Sequence, residues 1–160
     1  MVALGLAVGK GSTPVDDWFH QYRGPGKGLL FFTEPRVLTA LLVVCVAVAL
    51  YQRRWRVAVV AVMSTAAALG LVRVLKPMFD RQNGGALAYP SGHTTTMVVV
   101  MGILVLVARL AVWSVFIAVT YCGLGMLGQS VSYHYFTDTV GALLLGTALV
   151  CTAAWLAEPT

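Results

Sequence analysis

The sequence has little charge. Only 11% of its 160 residues are Asp, Glu, Lys or Arg, against 59% hydrophobic residues, and just six are acidic. So few ionic groups cannot solvate an ordinary globular surface, and a mean hydropathy of +0.83 places the chain among integral membrane proteins. Cysteine is scarce as well. Cys45, Cys122 and Cys151 each lie inside an apolar segment with no partner at metal-ligand spacing, which excludes a disulfide framework or a zinc site and leaves small core residues. The basic residues form no stripe interleaved with aromatics, so the net charge of +5 does not point to nucleic acid as a partner. Basic loops beside anionic lipid account for it. There is also no carboxylate cluster of the kind magnesium demands, so no metal and no cofactor is expected.

Long apolar runs are what the sequence does have. Segments over 35–51, 57–75, 93–108, 110–128 and 137–156 approach the roughly 17 to 25 residues that span a bilayer as helix. The expected fold is all-α: a polytopic membrane helix bundle of five full transmembrane helices, forming a single domain over 1–160. The N-terminal "MVALGLAVG" is too short to cross and lacks the basic flank and cleavage site of a signal peptide, so it reads as the stub of a possible sixth helix. Residues 10–34, broken by Pro14 and Pro25, read as an extramembrane loop in which Asp16, Asp17 and His20 are solvated.

Arg53, Arg54, Arg56 and Arg109 fall in two connections on one side of the membrane, and the positive-inside rule makes that side cytoplasmic. The other side carries Lys10, Arg23, Lys27, Arg36, Arg73, Lys76 and Arg81, all three histidines and every aspartate. Two phosphate-binding look-alikes are set aside. "GLGMLG" over 123–128 matches G-x-G-x-x-G but lies in an apolar helix with no preceding strand, so its glycines serve helix packing. "VGKGST" lacks the first glycine of a phosphate loop and has Gly11 where Ser or Thr belongs.

Ionisable residues at the ends of membrane spans are expensive, and Lys76, Arg81, His93, His134 and Asp138 fall in three loops on the same side. Ser91 is a natural N-cap, so the backbone N–H groups near Gly92 and His93 open out of the third span as an anion site. Gly92 lets an anion approach, and Lys76 supplies a compact positive charge, so the implied ligand is a phosphate group. The four-residue spacing of His134 and Asp138 puts them on one helix face if the last helix begins by about Tyr133, with Asp138 orienting His134. Tyr133, Tyr135 and Phe136 read as interfacial aromatics. Two histidines with different partners suit covalent phosphoryl transfer without a metal, one attacking phosphorus and the other protonating the leaving oxygen.

"YPSGHT" at the head of one span, a lysine in the preceding loop and "HYFTD" at the head of the last resemble the type 2 phosphatidic acid phosphatase superfamily. The family pattern is K-x6-R-P, P-S-G-H, then S-R-x5-H-x3-D, and the resemblance runs from about Pro35 to Leu156. It implies His134 as the nucleophile, His93 as the general acid and Asp138 as the partner of His134. Lys76, Ser91 and Gly92 would hold the phosphoryl oxygens, in a bundle of six helices with the site at one end. Two positions depart from the pattern. Asn83 and Gly84 stand where the first motif has Arg-Pro, and Leu127 and Gly128 where the third has Ser-Arg. Arg81 is the expected substitute clamp, with Gln129, Ser130 or Ser132 as neutral donors.

The function expected is dephosphorylation of a membrane lipid phosphate or diphosphate, polyprenyl or phosphatidate-like, through a phosphohistidine. The expected site faces the extracytoplasmic side of the plasma (inner) membrane, and the bilayer and its lipid phosphates are the expected partners. The absent arginines keep open an alternative, a catalytically silent family member that binds lipid phosphate or serves as a partner subunit. A transporter reading has no inverted repeat or mid-span charge behind it.

Overall fold

The computed structural model describes residues 1–22 and 25–157; Arg23, in the expected extramembrane loop, lies outside them, as do residues 158–160. The chain forms two short helices, α1 (Val2–Val8) and α2 (Pro14–His20), then a 3₁₀ helix (Pro25–Thr33). Longer helices follow: α3 (Pro35–Tyr51) and α4 (Trp55–Phe79). A two-stranded hairpin, β1 (Gln82–Asn83) with β2 (Ala86–Leu87), leads to α5 (Gly92–Val107), α6 (Val112–Ser130) and α7 (Phe136–Ala157).

Local chemistry sets where these helices start. Pro14 and Pro35 occupy the first turns of α2 and α3, where the missing N–H has no intrahelical acceptor to lose. Ser91 caps α5, its side chain accepting from the N–H of Thr94 at 3.5 Å. That helix is apolar on every side and packs against α3, α4, α6 and α7, so it forms the centre of the bundle. Small residues let its neighbours close in: Ala49, Ala58, Ala61 and Ala68 join Cys45, Val99 and Ile103 in one apolar cluster. Gly125 and Gly128 of "GLGMLG" do the same for α6, bearing on Met97 and on the Leu29 backbone.

Five apolar helices, α3 to α7, form where five transmembrane helices are expected. Three helices, α4, α6 and α7, are long and apolar enough to cross a membrane, at 25, 19 and 22 residues. With 17 and 16 residues, α3 and α5 are shorter, about 25 Å at 1.5 Å per residue against a hydrocarbon core of about 30 Å. Polar punctuation is the reason. Ser91 stops α5 at one end, and Arg109 and Leu110, at φ 56° and 59°, turn the chain at the other. The expected stub of a sixth helix is the seven-residue α1, which packs Gly5 against Phe79 and Tyr89, while the Tyr89 hydroxyl donates to the carbonyl of Met1 at 2.7 Å.

The two ends of the bundle differ in chemistry. Arg53, Arg54, Arg56 and Arg109 surround a hollow of about 510 Å³ at the start of α4, where Arg54 donates to the carbonyls of Leu106 and Val107 at the end of α5. At the far end of α4, the hairpin, the turn before α7 and helix α2 meet.

Candidate active site

A cavity of about 460 Å³ opens between α3, α4 and α5. One end is polar, lined by Arg73, Lys76, Gly92, His93 and His134; its walls are mainly apolar, with Leu38, Leu42, Leu69, Val72 and Val100 alongside Thr33, Thr39, Thr65 and Thr96. Four of the residues singled out from the sequence, Lys76, Gly92, His93 and His134, therefore share one cavity. Lys76 donates to the carbonyl of Leu87 at 2.7 Å, which aims its ammonium and leaves further protons for a ligand. Gly92 and His93 stand in the first turn of α5, whose N–H groups have no intrahelical acceptor.

His134 is not on the last helix. The helix begins at Phe136, and His134 sits in the preceding turn with its N–H bonded to the carbonyl of Gln129 at 2.9 Å. Asp138 explains the difference. Its Oδ2 accepts the N–H of Tyr135 at 3.0 Å, so the carboxylate closes the first turn of α7. Nδ1 of His134 lies 3.6 Å from the same oxygen and has no hydrogen-bond partner among the described residues. Asp138 itself is 0% exposed and lies behind His134 rather than in the cavity lining. Ser91 is also fully buried: its side chain caps α5, and its N–H donates to the carbonyl of Asp138 at 3.2 Å.

Arg81 does not serve the cavity. The side chain is 1% exposed, and its five N–H donors are all engaged. Nε and Nη2 donate to the carbonyl of Gly11 at 3.1 and 2.8 Å, and Nη2 also to Asp16 at 2.8 Å. Nη1 donates to the Thr137 hydroxyl at 2.6 Å and to Asp138 at 2.8 Å, while the guanidinium covers the ring of Tyr135 at 4.6 Å. An arginine so placed is a structural hub, with no donor left for phosphate.

Asp16 also departs from expectation. Expected in solvent, it is 0% exposed and closes a capping box on Thr13. Burial works to raise its carboxyl, but the N–H groups of Thr137 and Thr13 and their hydroxyls prevail and hold it below its ordinary 3.8. Helix α2 is further clamped to the turn before α7 by Phe19 stacked on Phe136 at 4.4 Å and His20 on Tyr135 at 5.1 Å. Two of the three expected interfacial aromatics thus pair within the protein. Against α1, burial pushes the Tyr89 phenol up to about 12, the Asp138 charge adding to the effect.

The departures from the motif pattern have local causes. Gly84 and Gly85 form the hairpin turn at φ 61° and 83°, which a proline at 84 cannot adopt. Asn83 donates to the carbonyl of Tyr133 at 3.1 Å, tying the hairpin to the turn before α7. Gly128 lies against the backbone of Leu29. Gln129 donates to the Thr33 hydroxyl at 2.6 Å and Ser130 to the carbonyl of Met126 at 2.7 Å, so neither faces the cavity. Sequence reasoning missed Arg73 as a lining residue, although its place three residues before Lys76 puts both on one face of α4. Among the described residues, no group of three or more His, Cys, Asp or Glu is placed to hold a metal ion.

The family model of the PAP2 superfamily matches residues 76–159, from Lys76 through α7. No curated protein and no solved structure matches the chain.

Proposed function

The chain belongs to the PAP2 superfamily, whose members are generally phosphatases acting on phosphate esters, and on that premise we propose that its substrate is a lipid phosphate or diphosphate. The head group enters the polar end of the cavity while the tail lies along the apolar wall. One observation carries this reading: a single cavity joins His93, His134, Lys76 and Arg73 to the apolar side chains Leu38, Leu42, Leu69 and Val100. Along α4 the lining runs from Thr65 to Lys76, about 16 Å at 1.5 Å per residue. A soluble phosphate ester has no need of that wall, whereas a lipid tail does.

In the proposed reaction His134 attacks phosphorus. With Nδ1 turned to Asp138, Nε2 is the nitrogen free to attack, and Asp138 steadies the positive charge that develops on the ring. The bond from phosphorus to the leaving oxygen breaks, and His93 gives that oxygen a proton. Water then attacks the phosphohistidine, passes a proton back to His93 and releases inorganic phosphate. Lys76 and the N–H groups at the start of α5 hold the phosphoryl oxygens throughout. The arginines at the other end of the bundle support a site facing the extracytoplasmic side of the plasma membrane.

Phosphate release by the purified protein from a panel of lipid phosphates, in excess chelator, tests this reading, with His134→Ala and His93→Ala as the variants. Each is expected to lower release at least a thousandfold. Release unaffected by either substitution, or none from any substrate, sinks it. The second outcome favours the other reading, a silent lipid-phosphate-binding protein, which the engagement of all five Arg81 donors supports.

A further inference from the structure

With Arg81 withdrawn into the hub, the cations lining the cavity are Lys76 and Arg73. They stand three residues apart on α4, so they share a face and are offset by about 4.5 Å along the axis. Helix α4 runs toward the site end, which makes Arg73 the deeper of the two, next to Val72 and one turn above Leu69. Lys76 is at the mouth. Arg73 is exposed, and among the described residues its guanidinium has no hydrogen-bond or ion-pair partner. No other group among the described residues engages that guanidinium, so an anion in the cavity can take it. A planar fork of donors is also the group best suited to grip a phosphate at two oxygens.

We propose that Arg73 determines specificity by holding the lipid-linked phosphate of a diphosphate, while the terminal phosphate sits between Lys76, His93 and His134. The inference rests on the hydrolase reading and deepens it by choosing the diphosphate over the monophosphate. His134 attacks the terminal phosphorus, the bond to the bridging oxygen breaks, and His93 protonates that oxygen. The departing lipid monophosphate keeps its negative charge against Arg73. With a monophosphate substrate the leaving group is an alcohol, and Arg73 has no anion to hold.

The test is a binding measurement on the full chain in lipid nanodiscs, with two non-hydrolysable probes of the same tail, geranylgeranyl methylenediphosphonate and geranylgeranyl phosphonate. Arg73→Gln is expected to weaken the diphosphonate about 10- to 100-fold, as expected for a charge-assisted hydrogen bond lost. The same substitution should change the phosphonate less than about threefold, and Arg73→Lys should recover part of the loss. Lys76→Gln, by contrast, should weaken both probes. Equal weakening of the two probes by Arg73→Gln, no weakening of either, or no binding of either by the unaltered protein overturns the proposal. Hydrolysis is not needed for this readout. A protein that discriminates the probes through Arg73 but releases no phosphate contradicts the hydrolase reading alone.

Discussion

Replacing Asp16 by alanine should destabilise the protein far more than its place in an N-terminal segment suggests. The carboxylate accepts from the N–H and hydroxyl of Thr13 at 2.9 and 2.8 Å, from Arg81 at 2.8 Å, and from the N–H and hydroxyl of Thr137 at 2.9 and 3.0 Å. Alanine leaves a buried guanidinium N–H and two backbone N–H groups without that acceptor. Removing one partner of a buried ion pair costs about 3–5 kcal/mol. The lower end applies here, because Asp138 still neutralises Arg81 and the two threonines are only partly buried. Unfolding of purified protein in mixed micelles should therefore show a loss of about 3 kcal/mol for Asp16→Ala and under about 0.5 kcal/mol for its exposed neighbour in Asp17→Ala. The pH dependence has a definite sign. Asp16 is held below its ordinary 3.8, so its contribution is complete above that value and is lost as pH falls through the lower, folded value. The alanine variant should consequently lose less stability than wild type on acidification below pH 3.8. A loss under about 1 kcal/mol, well short of what breaking a buried ion pair costs, would refute the hub as described.

Three further outcomes follow from other parts of the molecule. A Cβ at Gly128 would stand 2.8 Å from the backbone carbon of Leu29, whereas Gly123 has open space around it; Gly128→Ala should cost about 1–3 kcal/mol by overpacking, while Gly123→Ala should cost nothing and gain up to about 1 kcal/mol of helix propensity in the same unfolding assay. Leu69→Trp should fill the apolar wall and lower kcat/KM about tenfold for long-tailed lipid phosphates, the order of a few buried methylenes lost from contact. Short-chain, water-soluble esters should be hydrolysed at an unchanged rate; an equal fall for both would place Leu69 outside the tail path. Arg81→Lys should lower stability as Asp16→Ala does, since an ammonium has three donors for the acceptors that now take five; full stability with loss of phosphate binding alone would return Arg81 to the cavity.

Helices were legible in the sequence where local signals agreed. Ser91 announces the start of α5 by capping chemistry, and apolar runs locate α3 to α7 within a few residues. The turn at Arg109 and Leu110 falls where Arg109 already marked a connection; α3 matches the expected 35–51, and α5 lies within one residue of the expected 93–108. Lys76, Gly92, His93 and His134 could be grouped by motif, and the fold brings them together. Arg81 could not be placed, since its fate is decided by Asp16, 65 residues away, and by Gly11, 70 residues away. Asp16 looked like any loop aspartate for the same reason. Arg73 was legible in principle from the three-residue spacing, but an arginine near a span end is usually a side chain reaching for the interface. Its unpaired position in the cavity emerges only with α3 and α5 around it.

The hairpin at Gly84 and Gly85 limits which side chains positions 83 and 84 can carry. Placing the motif's arginine at position 83 removes the side chain that holds the carbonyl of Tyr133, and placing its proline at position 84 demands a backbone angle of opposite sign to the present φ of 61°. Neither replacement is a small step taken alone. The two positions are coupled through the turn they build, and a chain with arginine at 83 and proline at 84 needs a different connection between β1 and β2.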